Sequence, residues 1–288
     1  MPLADALRER NVLEKLRRFG PARRLLRSAD FAVWRRVRGT SQPVRVRWLQ
    51  HMSYYLPSHG AEPELAALMI ALVRELPIRV FLDVGANFGY YSWLLGEHAA
   101  DGLETHLFEP DPRNQRLVRD TLGRRRSTNA VLHEVALGAE DGSALFYRDL
   151  DTGHRGSLVA DAALTAGVST PVRRLDAEVP TRSPMALVKI DVEGGEEQVL
   201  AGAAALLATG PIVVVECFHH DDNAAWTQLA AMPGYEIFDA VTADVVTAAT
   251  TNYWAVPPSL SVDDLSRVRA ERDRLLRAPK LVPAESGR

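Results

Sequence analysis

Two acidic residues and two glycines stand where short apolar segments of this sequence end. Asp83 closes the segment before Gly85 and Gly89, and Glu109 closes the next one, 20 residues after Gly89. The glycines allow a tight turn and a close approach of the backbone to a ligand. Glu109 is spaced to accept hydrogen bonds from both hydroxyls of a ribose. Together these residues indicate a site for a nucleoside.

The same residues favour one kind of nucleoside over another. The G-x-x-x-G spacing differs from the G-x-G-x-x-G fingerprint of dinucleotide-binding proteins. Asp83 would repel a pyrophosphate and attract an ammonium group. S-adenosylmethionine (SAM) carries an ammonium and a sulfonium and no phosphate, so the pattern favours SAM over NAD. Taken singly, Asp83 also fits a helix N-cap, and Glu109 a partner of a helix dipole.

The elements around these residues alternate between apolar strands and helical segments from residue 78 onward. This alternation is typical of a parallel α/β sheet covered on both faces. The predicted strands are 79–84, 105–108, 131–135, 186–190, 212–216, 235–239 and 252–256. The predicted helices are 64–76, 91–98, 112–122, 196–207, 224–232 and 262–276. Residues 143–175 are interpreted as an insertion near the sheet edge. Ligands of such sheets bind beyond the carboxyl ends of the strands, where the acidic residues lie.

Two longer motifs resemble those of the FkbM-type SAM-dependent methyltransferases. They are Phe81–Gly89, with Asp83 and the two glycines, and Leu187–Glu196, which reads LVKIDVEGGE and is the more specific of the two. The resemblance covers about residues 60–256. It implies a Rossmann-like class I methyltransferase fold, with a seven-stranded, mostly parallel sheet, helices on both faces and an antiparallel last strand. It also implies methyl transfer, usually to an oxygen of a sugar, a glycolipid or a natural product.

The resemblance also assigns roles to residues of this sequence. By it, the methionine moiety of SAM is held by Asp83, Gly85, Asn87 and Gly89. Glu109 holds the ribose, Ala136 and Leu137 lie beside the adenine, and Asp191 lies between cofactor and acceptor.

A neutral hydroxyl is a poor nucleophile, so its methylation needs a general base or a metal ion. The expected catalytic residues are Asp191, His219, Glu193 and Lys189, with Glu216 nearby. A histidine titrates near neutrality and makes a suitable base. His219 also fits an ordinary surface loop, and Lys189 a structural ion pair. In a second version, Asp191 and Glu216 hold magnesium; the metal-free version is favoured.

Composition and charge limit the remaining choices. Apolar residues make up 47% and charged residues 25%, which excludes a disordered or fibrous chain. The single cysteine, Cys217, excludes a disulfide framework, and the charged N-terminus does not resemble a signal peptide. We therefore expect a cytoplasmic protein. The net charge is +9 over residues 1–48 and −12 over the remainder, which argues against a nucleic-acid-binding core.

The charge pattern suggests three parts. They are a basic helical N-terminal extension over 1–48, with a linker at 39–43, a methyltransferase domain over 49–258, and a C-terminal helix and tail over 259–288. The extension fits either a peripheral membrane contact or packing against the sheet rim or a second copy in a homodimer.

Two other functions stay open at this point. One is a nucleotide-dependent oxidoreductase, and the other is an inactive methyltransferase-fold protein that acts through interactions. Methylation of nitrogen or carbon also remains open, although the Asn/Asp-Pro-Pro-Tyr loop of N-methyltransferases does not follow the fourth strand.

Overall fold

A computed structural model describes residues 30–56, 62–100, 102–125, 129–148, 156–158, 166–179, 185–217, 224–246 and 250–277. The strands are β1 Ala32–Arg35, β2 Val44–Arg47, β3 Val80–Val84, β4 Glu104–Phe108, β5 Ala130–His133, β6 Ala136–Leu137, β7 Gly142–Arg148, β8 Gly156–Ser157, β9 Ala166–Arg173, β10 Ala186–Ile190, β11 Ile212–Glu216, β12 Glu236–Asp239 and β13 Asn252–Val256. The helices are α1 Pro63–Glu75, α2 Tyr90–His98, α3 Pro112–Arg124, α4 Leu175–Glu178, α5 Glu196–Ala201, α6 Ala204–Leu207, α7 Ala224–Ala230 and α8 Val262–Arg277. Among the helices of the described ranges, none is both long and apolar enough to cross a membrane.

The main sheet has seven strands in the order β12-β13-β11-β10-β3-β4-β5. Strands β11, β10, β3, β4 and β5 pair in parallel, whereas β13 runs antiparallel to both of its neighbours. This order, with the antiparallel last strand, confirms the predicted class I methyltransferase fold. The carboxyl ends of β3, β4, β10 and β11 therefore lie along one edge.

The central strands are buried on both faces, because their side chains supply two separate hydrophobic cores. Phe81 and Leu187 point into the core formed with α1, α2, α3 and α8, while Leu82 and Val188 point into the core formed with α5 and α7. Continuous apolar runs are what such two-sided burial requires. This is why the strand positions follow directly from the sequence.

The described part of the N-terminal extension differs from the prediction. Residues 30–48 form a β-hairpin of β1 and β2 and not a helix, and the predicted linker 39–43 is the hairpin turn. The alternation in Val44–Arg47 explains this, because both valines are fully buried in the core of the sheet while the arginines point outward. The extension is thus packed onto the body of the main sheet up to this point. Residues 1–29 lie outside the described residues.

Two further features modify the predicted elements. The insertion forms a second sheet, in the order β6-β9-β7-β8, which follows the edge strand β5 in the chain. The single predicted helix 196–207 is two helices, α5 and α6, separated at Gly202. A Cβ at Gly202 would lie 2.0 Å from the carbonyl oxygen of Gly138, so the chain must carry a glycine at this crossing.

Candidate functional site

A cleft of about 1000 Å³, including its open mouth, lies at the carboxyl ends of β3, β4 and β10. The predicted site residues that line it are Asp83, Gly85, Asn87, Glu109, Ala136, Leu137, Lys189, Asp191 and Glu193. Residues from distant parts of the sequence thus meet at the edge of the sheet where the topology predicts a ligand.

The loop after β3 forms the floor of the cleft. Gly85 has φ +79°, and a Cβ there would lie 1.8 Å from the carbonyl oxygen of Asp191. Gly89 does not line the cleft. It has φ +83°, precedes α2 directly, and has the indole of Trp93 and the side chain of Leu107 where a Cβ would be. One glycine therefore lets the two loops of the site meet, and the other lets the chain turn into its helix.

Glu109 lies buried between this loop and the start of α3. Its two carboxylate oxygens accept hydrogen bonds from the backbone N–H groups of Asn87, at 2.7 Å, and Asp111, at 2.8 Å. Only 4% of the residue is exposed, and burial raises the pKa of Glu109 to about 8. A carboxylate held in this way is fixed in position and retains lone pairs for donors from a ligand.

Asp83, Lys189 and Asp191 form a charged group beneath the loop. Lys189, whose side chain is 3% exposed, donates a hydrogen bond to Asp191 at 3.0 Å, and Asp83 accepts one from Ser92 at 2.6 Å. Burial alone lowers the pKa of Lys189, but the charges of Asp191 and Asp83 raise it above its ordinary value. Lys189 is therefore a cation that orients Asp191 and balances Asp83, and it is not itself a base.

Tyrosines line the other end of the cleft, and the carboxylates of Glu62 and Glu216 lie near them. Tyr91 donates a hydrogen bond to Glu62 at 3.0 Å, and its ring lies 4.9 Å from the ammonium of Lys189. Burial, together with the negative charges of Asp191 and Glu62, raises the pKa of Glu216 to about 8. The pKa of Tyr54, which lines the cleft, is raised by burial and then by Glu62. This end is thus acidic and can receive a hydrogen-bond donor or a cation.

Two polar atoms of cleft-lining residues have no hydrogen-bond partner among the residues that the structure describes. They are Oδ1 of Asn87 and the hydroxyl of Tyr90, and Tyr90 is only 3% exposed. Buried polar atoms in folded proteins are nearly always paired, so an unpaired one that faces a cleft indicates a position for a ligand atom. These atoms, with Glu109, fit the polar groups of a nucleoside that carries an amino-acid moiety.

The opposite wall is largely apolar and is backed by a chain of polar contacts. Phe108 lines the cleft and stacks on His133 at 4.4 Å. Behind it, His106 contacts Glu104 and His133, and His133 contacts Glu178, each at 2.9 Å between ring nitrogen and partner atom. A flat apolar wall of this kind suits a planar base.

Sequence reasoning missed part of this site, and part of its prediction falls outside the described residues. The cleft residues that were missed are Tyr54, Phe88, Tyr90, Tyr91, Phe108, Asn114, Phe146 and Leu158. Tyr54 and Glu62 precede β3, the first strand of the main sheet, and no motif includes them. His219 and His220 lie outside the described residues. Cys217 is a free cysteine and is buried, which is the position expected of a small apolar side chain.

The described residues do not fit the divalent cation of the magnesium version. Asp191 is already paired with Lys189, and within the described ranges no three His, Cys, Asp or Glu side chains are grouped to hold a metal ion.

Comparison with known proteins gives distant structural likenesses. A methyltransferase FkbM from Methylobacillus flagellatus KT is 22% identical with a TM-score of 0.42, over 62% of this chain and 43% of that protein. An O-methyltransferase from Bacillus cereus, solved with SAH, is 12% identical with a TM-score of 0.42, over 70% and 84% of the two chains. TomG from Streptomyces achromogenes, solved with SAM, is 14% identical with a TM-score of 0.42, over 73% and 86%. The present chain therefore spans less than half the length of the first of these proteins.

Sequence comparison is more informative for the family. No curated protein matches the sequence. A family model of the methyltransferase FkbM domain matches residues 83–240, which confirms the resemblance inferred from the motifs and the predicted class of enzyme. Because this match spans more than half of the sequence, the chain belongs to the FkbM methyltransferase family.

Proposed function

We propose that the chain is a SAM-dependent O-methyltransferase that acts on a hydroxyl of a sugar, a glycolipid or a natural product. One observation carries the proposal. The same cleft contains the carboxylate of Glu109, fixed by backbone N–H groups, and Oδ1 of Asn87, which has no partner among the described residues. The acidic end around Asp191 lies beyond them. The structures of relatives solved with SAM and SAH agree with this choice of cofactor.

The cleft residues would hold SAM along its length. Glu109 would accept hydrogen bonds from the ribose hydroxyls, and the loop of Gly85 and Asn87 would contact the methionine moiety. Ala136 and Leu137 would lie beside the adenine. When bound, SAM supplies an electrophilic methyl group on a sulfonium, and its sulfur is the leaving group.

The protein's own contribution is to align the acceptor and remove its proton. We assign these tasks to the end of the cleft at Asp191, Glu193 and Glu216. Asp191 orients the acceptor hydroxyl and is itself held by Lys189. His219, which follows β11 in the sequence, takes the hydroxyl proton, and an acidic residue balances the resulting imidazolium.

Methyl incorporation tests this function. The protein is incubated with SAM labelled in the methyl group and with fractionated small-molecule and lipid extracts, and labelled products are identified by mass spectrometry. We expect an O-methyl ether, and at a SAM concentration that half-saturates the wild type we expect much less label with the Glu109→Gln variant. An N-methyl or C-methyl product would contradict the proposed acceptor. Folded protein that binds NAD and not SAM would support the oxidoreductase alternative, and folded protein that binds neither would support an interaction protein.

A further inference from the structure

We propose that the N-terminal hairpin docks the protein on an anionic membrane surface. The docking surface consists of Phe31, Arg35, Arg36, Trp48 and Tyr55, here called the hairpin patch. Phe31 is 57% and Trp48 38% exposed, and both arginines are exposed. Aromatic rings beside arginines are the side chains that bind at the interface between lipid headgroups and acyl chains.

Contacts join four residues of the patch, and Arg36 follows one of them, Arg35, in the chain. The rings of Phe31 and Trp48 stack at 5.8 Å with an angle of 18° between their planes. The hydroxyl of Tyr55 donates to the carbonyl oxygen of Trp48, and the guanidinium of Arg35 lies 5.9 Å from the Tyr55 ring. Ordering the aromatic pair before it meets a membrane reduces the entropy lost on docking.

The position of the patch connects it to the cleft. Tyr55 follows Tyr54, which lines the acceptor end of the cleft. The hairpin is fixed to the body, because Val44 and Val46 are buried in its core and the backbone N–H of Arg38 donates to the carbonyl oxygen of Tyr54 at 2.8 Å. The patch is therefore linked to the cleft through the adjacent residues Tyr54 and Tyr55. If the proposed function holds, docking would bring a glycolipid acceptor toward the cleft.

The charge distribution identifies the partner. Residues 1–48 carry +9 and the rest of the chain −12, so an anionic bilayer attracts this segment more strongly than the remainder and orients the molecule. In the sequence before the patch, leucine, valine and phenylalanine recur among the arginines, and an apolar medium suits them better than a nucleic acid does. A symmetric dimer through the patch would bring two basic surfaces together, which is unfavourable.

Flotation of the full chain with vesicles tests the proposal. The vesicles are phosphatidylcholine alone, or phosphatidylcholine with about 30% phosphatidylglycerol, each in low and high salt. We expect flotation with the anionic vesicles in low salt and its loss in high salt. Arg36→Glu should weaken binding at least fivefold, because one basic residue alone contributes about fivefold. The double variant Phe31→Ser/Trp48→Ser should weaken it about tenfold.

Matched variants serve as controls. Arg277→Glu makes the same charge change at the exposed end of α8, and Val245→Ser/Val262→Ser removes apolar side chains that are 66% and 79% exposed. These controls should float like the wild type. Circular dichroism and calorimetry with SAM, run on every variant, report folding and cofactor binding separately from docking.

Four outcomes would overturn the proposal. The first is absence of flotation with anionic vesicles, and the second is equal flotation of patch and control variants. The third is binding of a single-stranded oligonucleotide without binding of vesicles. The fourth is a wild type that does not float and is a dimer, together with patch variants that are monomers. None of these depends on methyl transfer, so failure of docking and failure of the proposed function can be told apart.

Discussion

Replacing Glu109 by glutamine tests the cofactor site most directly. The carboxylate accepts two backbone N–H groups, at 2.7 Å from Asn87 and 2.8 Å from Asp111. Glutamine keeps the shape but turns one acceptor into a donor, so its amide nitrogen must face one of these N–H groups or the ribose. The variant loses the charge-assisted hydrogen bond to the ligand, worth about 1.5–3 kcal/mol. We expect SAM to bind roughly 10-fold to 150-fold more weakly.

The pH dependence of SAM binding gives a second readout of the same residue. Burial raises the pKa of Glu109 to about 8, whereas hydroxyl donors from a ribose favour the charged form. Binding should therefore lower this pKa and release a proton. The affinity for SAM should rise with pH up to about 8 and then level off. In Glu109→Gln this contribution should vanish.

Calorimetry with SAM, from acidic to mildly alkaline pH, measures both effects. Glu134→Gln is the matched control, because Glu134 is half-exposed and paired with Arg119 away from the cleft lining. That control should bind like the wild type. An affinity of Glu109→Gln within about threefold of the wild type, with an unchanged pH profile, would refute the reasoning.

Three further changes should have clear effects. Gly85→Ala forces a Cβ to within 1.8 Å of a backbone carbonyl oxygen and should lower the free energy of unfolding, measured by urea denaturation, by at least about 3 kcal/mol. Gly96→Ala is the control, because no atom lies within 4 Å of its Cβ, and it should raise that free energy by about 0.5–1 kcal/mol. Lys189→Met leaves buried carboxylates unbalanced and should cost about 3–5 kcal/mol, partly restored by adding Asp83→Asn; no such restoration would argue against their coupling. His219→Ala should lower kcat by roughly 10²–10⁴-fold while calorimetric SAM affinity stays unchanged, and near-normal turnover would exclude this base.

The main sheet could be predicted from the sequence because its strands are buried on both faces. Runs such as Ile212–Glu216 have few alternatives, and the predicted bounds of β10, β11 and β13 agree with the structure. The prediction of a helical extension is wrong for the hairpin. The alternation over Val44–Arg47 was the available signal for a strand.

The site could be predicted only where its residues belong to local motifs. Asp83 lies near the end of β3, and Glu109 and Asp191 directly follow β4 and β10, so the topology alone brings them together. Tyr54 lines the cleft, and Glu62 contacts the cleft residue Tyr91, because the segment before α1 packs there. Local sequence patterns do not predict that packing. The role of Lys189 as a fixed cation depends on burial between two carboxylates, which is a property of the folded chain.

The contacts that run from Glu104 through His106 and His133 to Glu178 have a consequence for the number of protons at this edge of the sheet. Three contacts of 2.9 Å need three protons, whereas two neutral imidazoles carry two and ionised carboxylates carry none. Burial lowers the pKa of His133, which disfavours the extra proton that the third contact needs. A single added proton completes the set, and a second would place two N–H groups face to face between the rings. The contacts behind Phe108 can therefore accept one further proton and no more, and mild acid should strengthen them.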